Sequence, residues 1–90
     1  MKPRITMSLT DKGELEIFVN EAGRDLLMRE LQALNEKSEH FHLAPSDYGE
    51  VEVSTIAYRP TDKVIEWGKV LFRTDEWDRR YYPHVMGDDS

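Results

Sequence analysis

From Arg4 to Leu9 the chain alternates: Ile5, Met7 and Leu9 fall in one phase, Thr6 and Ser8 in the other. A period of two is that of a strand with one face towards a core. Thr10-Asp11-Lys12-Gly13 follows, a short turn with glycine where positive φ is wanted. Glu14 to Val19 alternates again, with Leu15, Ile17 and Val19 in phase. Two alternating runs around such a turn predict a β-hairpin.

The period then changes. Asn20 is a good N-cap, and Glu21 and Asp25 place carboxylates in or near a first helical turn. Gly23, Leu27, Leu31 and Leu34 share a narrow arc at a helical spacing, with Leu26 beside it. This predicts an amphipathic helix running to about Glu36, with Arg24, Arg29, Gln32 and Lys37 towards water. A glycine on its apolar face suggests close packing on a sheet, since glycine inside a helix costs about 1 kcal/mol relative to alanine.

Ser38 and Glu39 break the helical period, and His40-Phe41-His42-Leu43 reads as a short strand. Phe41 and Leu43 point one way and both imidazoles the other. Ala44 to Gly49 is a loop. Val51, Val53 and Thr55 then alternate with Glu50, Glu52 and Ser54, a strand extending towards Tyr58. Arg59 to Lys63 turns the chain. Val64 to Arg73 is the longest β-like run; a bulge at Gly68 would set Ile65 and Trp67 on one face with Val70 and Phe72, and Trp67 in the core. Thr74 caps a short helix in which Trp77, Arg80 and Tyr81 share a face, and Pro83 ends it. The order is β-β-α-β-β-β-α. It predicts one α+β domain over residues 1–86, an antiparallel sheet of about five strands with one long helix on one face, and a flexible tail at 87–90.

Composition narrows the function classes. Ninety residues fit one domain and bury roughly two-thirds of the unfolded surface. Net charge is −6, and acids outnumber bases on both sides of residue 45, six bases against eight acids and then six against ten. With no basic arm or face, nucleic acid and anionic membrane are not expected partners. An acidic surface suits either solubility or a basic protein partner. There is no cysteine, which excludes disulfides, thiolate zinc sites and a cysteine nucleophile. No apolar stretch is long enough for a signal peptide or membrane span, so the expected location is cytoplasmic.

Two places carry candidate chemistry. His40 and His42, two apart on a strand, project from one face about 7 Å apart. They can chelate zinc or another transition metal if a third ligand arrives, from Glu39, Asp47, Glu50, Glu52 or His84. The plainer reading is two surface histidines, one hydrogen-bonded to a neighbour. Glu50 and Glu52, in phase beside Asp47, could form an acid/base pair, or simply solvate a strand. Ser46, Asp47 and either histidine could be drawn as a triad, but no nucleophile-elbow glycines surround Ser46. No phosphate loop or dinucleotide fingerprint is present, and no catalytic residue is assigned. The second place is Asp75 to His84, with Trp77, Tyr81, Tyr82, Arg79 and Arg80. Trp, Tyr and Arg dominate interface hot spots, so Trp77, Arg80, Tyr81 and His84 join His40, His42, Asp47, Glu50 and Glu52 as interface candidates. The alternative is a helix docking its aromatics on the core.

A leucine-bearing helix followed at once by His40-Phe41-His42-Leu43 resembles a small bacterial immunity-protein family of polymorphic toxin systems. The likeness spans roughly residues 15–55 and leaves out the chain after Tyr58. It implies a short, acidic, cytosolic α+β protein that binds and neutralises a cognate toxin, with no catalytic residues. The whole chain is also similar to short bacterial proteins of unassigned role. Three functions follow: a protein-binding domain, a metal site on His40 and His42, or a structural subunit, monomeric or homodimeric through an uncovered sheet face or edge strand.

Overall fold

The structure, a computed structural model, describes residues 1–89. Its elements are β1 (Ile5–Leu9), β2 (Leu15–Val19), α1 (Glu21–Gln32), β3 (His40–Ala44), β4 (Val51–Glu52), β5 (Lys63–Val64), β6 (Gly68–Leu71) and α2 (Asp75–Tyr81). Turns of 3-10 type run over Pro83–Asp89, kinked at Gly87. The class is α+β. Ser90, the last residue of the expected tail, lies outside the described residues.

The hairpin forms as the alternation requires. β1 and β2 pair antiparallel with Met7 opposite Ile17. Gly13 takes φ 85° in the turn, and its N–H donates to the Thr10 carbonyl at 2.9 Å. Asn20 then caps α1. Its Oδ1 accepts from Gly23 N at 2.7 Å and Arg4 N at 2.9 Å, while Nδ2 donates to the Lys2 carbonyl at 3.0 Å. One side chain therefore starts the helix and fastens the N-terminal segment. A Cβ at Gly23 would stand 2.5 Å from the Arg4 carbonyl oxygen, so glycine is what permits this close approach.

The single antiparallel sheet of about five strands is not what forms. There are two three-stranded sheets, ordered β2-β1-β5 and β4-β3-β6. The run Val64 to Arg73 divides between them. β5 pairs with β1, and β6 pairs antiparallel with β3, placing Phe41 opposite Val70 and Leu43 opposite Gly68. No bulge at Gly68 brings the flanking residues onto one face. Ile65 donates from its N–H to the Met7 carbonyl at 2.8 Å and packs on the core. Trp67 is turned outward, 63% exposed, against the Tyr48 ring. The strand expected from Val51 towards Tyr58 stops at Glu52 because the chain changes sheets. Val53 N donates to the Ala44 carbonyl, and the next residue, Ser54, donates to the Ile5 carbonyl at 2.7 Å.

α1 is also shorter than its apolar spacing suggests, 12 residues ending at Gln32. Asn35 Oδ1 accepts from Lys37 N at 2.8 Å and Ser38 N at 2.9 Å. Such a local side-chain turn competes with the helix for the same backbone donors. Leu34 still reaches the core from beyond the helix end.

One hydrophobic cluster joins the two sheets. Ile5 and Met7 come from the first, Phe41, Leu43 and Val51 from the second, and Val53 from the crossing segment. Leu26, Leu27, Leu34, Ile65 and Val70 pack against it. The core is small for the chain. The radius of gyration is 15.3 Å, where a compact chain of this length has about 12 Å. The accessible surface of 6811 Å² exceeds the value typical of its mass by about 1,300 Å². No helix among the described residues is long and apolar enough to cross a membrane.

Candidate functional site

β3 places its residues as the alternation predicts, Phe41 and Leu43 buried and both imidazoles outward. The His40 and His42 rings meet edge to face, centroids 4.9 Å apart. Glu50 comes back to them from the loop. Its Oε1 accepts from His42 N at 2.8 Å and lies 3.2 Å from His42 Nδ1. The loop is short for its task. Parallel strands are usually joined by a dozen or more residues, whereas β3 and β4 pair parallel across residues 45–50 alone. Two features make this possible. Ser46 takes φ 53°, and a Cβ at Gly49 would stand 2.9 Å from the His42 carbonyl oxygen. The carboxylate of Glu50 closes the loop on β3. The His42 backbone N–H, then its imidazole, favour the charged form and hold the Glu50 carboxyl below its ordinary range.

The remaining acids do not converge on this face. Glu52 turns to Lys2, 3.8 Å away, so Glu50 and Glu52 have separate partners and form no acid/base pair. Asp47 is exposed. His84 lies in the C-terminal segment against Tyr82, ring centroids 6.1 Å apart. Glu39 pairs with Arg73 at 3.5 Å. Among the described residues no three of His, Asp and Glu are placed to hold a metal ion. Ser46 lines an open cleft of about 400 Å³ with Lys2, Arg4 and Glu52, and hydrogen-bonds to neither imidazole, so the triad is not assembled.

The C-terminal segment behaves differently. Thr74 caps α2, its Oγ1 accepting from Trp77 N at 3.0 Å. Asp75 and Glu76 open the helix and Arg79 and Arg80 close it, each sign matched to the helix dipole. No residue of α2 is buried. The aromatics pack on one another instead of on the core. Trp77 meets Tyr81 at 4.8 Å and Tyr82 at 5.5 Å between centroids. The Arg73 guanidinium stands 4.5 Å over the indole, and Arg80 lies over the Tyr81 ring rather than bridging to the acids of the first turn. Trp77, Arg80 and Tyr81, with Arg73, Phe72 and Glu39, line an open cleft of about 330 Å³.

A third cluster was not foreseen. On the outer face of the first sheet Phe18 and Tyr58 stack at 3.9 Å, 12° from parallel. Arg59 pairs with Glu16 and, at 3.1 Å, with Asp62, whose side chain is 1% exposed. The guanidinium also sits 5.9 Å from the Phe18 ring. This cover is why Thr6 and Ser8 are buried, with Ser8 Oγ and Asp62 Oδ2 lacking hydrogen-bond partners. Phe18, an aromatic in the polar phase of its strand, was the available signal.

Comparison of the chain with protein-family models, characterised proteins and solved structures returned no match.

Proposed function

We propose that this is a non-catalytic protein-binding domain that engages its partner through α2 and the cleft beside it. The observation that supports this reading is the cluster of Trp77, Tyr81 and Arg80, on a helix with no buried residue, with the flanking Arg73 and Tyr82. Aromatic and guanidinium groups preassembled in a half-open cleft need little further ordering to bury area against a partner. The net charge of −6 favours a basic partner and would speed the encounter. The likeness of the helix and His40–Leu43 strand to immunity proteins adds a candidate class, a toxin neutralised by occlusion, in the cytoplasm of a bacterium. The His40–His42 face, fastened by Glu50, would then contribute a second, polar contact.

The test is co-purification and calorimetry with the product of the neighbouring gene. Trp77→Ala and Arg80→Ala should each weaken the complex about 30-fold or more, as hot-spot truncations do. A missing complex, or one indifferent to both substitutions, would refute the reading.

A further inference from the structure

The first sheet ends on β2, and of the devices that usually protect an edge β2 carries one charged side chain, Glu16, which is engaged by Arg59. Its five residues, Leu15-Glu16-Ile17-Phe18-Val19, contain no lysine, no proline and no bulge. Such a strand is a template for pairing. Among the described residues it pairs with β1 alone.

The parity of the ladder shows which groups are free. Asn20 N donates to the Arg4 carbonyl at one end, and Thr10 N to the Glu14 carbonyl at the other. In an antiparallel pair, inward and outward groups alternate. The even-numbered residues of β2 therefore bond to β1, and the N–H and C=O groups of Leu15, Ile17 and Val19 point away from it. β1 obeys the same parity: the carbonyls of Ile5 and Met7 accept from Ser54 and Ile65 on its other side. Leu15, Ile17 and Val19 are also the residues with exposed apolar side chains. Free backbone and free apolar surface coincide in three residues.

We propose that β2 pairs with β2 of a second copy, antiparallel, about a two-fold axis through Ile17. This register sets Ile17 opposite itself and Leu15 opposite Val19 of the other copy, so every outward-facing group of the three residues is satisfied. A two-fold contact needs a self-complementary surface, and an apolar triplet centred on Ile17 is one. The charges agree. Glu16 falls opposite Phe18 and is already paired with Arg59, and Glu14 falls opposite Asn20. No two like charges face each other across the strand. The surface is separate from α2, so the dimer stands or falls independently of the function proposed above.

Sedimentation equilibrium tests it. The wild type should run at twice the 10.6 kDa chain mass, and Ile17→Lys should run as a monomer with an unchanged circular dichroism spectrum. Ile17→Cys supplies a readout that survives a misfolding Ile17→Lys. The chain has no other cysteine, and a hydrogen-bonded pair places Cα atoms about 5.5 Å apart, within disulfide reach. Ile17→Cys should cross-link under mild oxidation, and Ile56→Cys, more exposed but elsewhere, should not. Trp77→Ala should stay dimeric. A monomeric wild type at the highest soluble concentration, a dimer that persists in folded Ile17→Lys, or Ile17→Cys cross-linking no faster than Ile56→Cys would overturn the proposal.

Discussion

β1 and β2 carry almost the same pattern, yet they are buried in opposite ways. In Ile5-Thr6-Met7-Ser8-Leu9 both phases are covered, and Thr6 and Ser8 are as buried as Ile5. In Leu15-Glu16-Ile17-Phe18-Val19 the aliphatic phase is exposed and the phase holding Glu16 and Phe18 is half-buried. Alternation tells which residues share a face. It does not tell which face is covered, because that depends on whether the strand is central or at an edge, and on what crosses it. β1 lies between β2 and β5, with the shared core on one side and the Tyr58–Asp62 segment on the other. β2 has a neighbour on one edge only.

The largest expected effect tests that contrast directly. Ile5→Ala should cost about 2–5 kcal/mol in denaturant unfolding, the range for a buried aliphatic truncated in a core. Ile17→Ala, measured on the isolated monomer, should cost less than about 1 kcal/mol. Equal losses would mean that β2 is covered after all. Gly23→Ala comes next, at about 1–3 kcal/mol, because its Cβ meets backbone rather than a movable side chain. A neutral Gly23→Ala would show that α1 does not press on the start of β1. Whether the second phase of β2 packs can be read from a double-mutant cycle on Phe18 and Tyr58. A coupling of about 0.5–1.5 kcal/mol is expected from the stacked pair, and a coupling near zero would remove the cover over Thr6 and Ser8.

The smallest effect lies in the second sheet, where β4 is again an edge and is held by a side chain. The Glu50 carboxyl is depressed below its ordinary value of 4.5 by His42. Its contribution is therefore complete above the ordinary carboxylate range and fades as pH falls through the lowered folded value. Glu50→Gln should lower stability slightly at neutral pH and converge with the wild type as pH falls, which flattens that part of the acid limb. An unaltered acid limb would mean that the loop closes without the carboxylate.

Much of the local structure was legible in the residues. The Thr10–Gly13 turn, the Asn20 and Thr74 caps and the Phe41/Leu43 phase of β3 each depend on groups a few residues apart. The C-terminal aromatics were legible as a cluster, but not their separation from the core. Asp47, Glu52 and His84 were plausible ligands by residue type, and none converges with the imidazoles, because convergence depends on loop paths that spacing does not encode. Glu50 does reach His42, through a six-residue parallel connection that a sequence pattern argues against.

By itself the sequence determined the alternations, caps and turns, and with them the α+β class, because these follow from steric and hydrogen-bonding preferences within one or two turns of chain. Only the tertiary structure decided that Val64 to Arg73 splits between two sheets, that Trp67 faces water and that β2 is left as an edge. Those outcomes depend on competition among distant segments for the same ladder positions and the same small core. An isolated alternating run is compatible with either side of that competition.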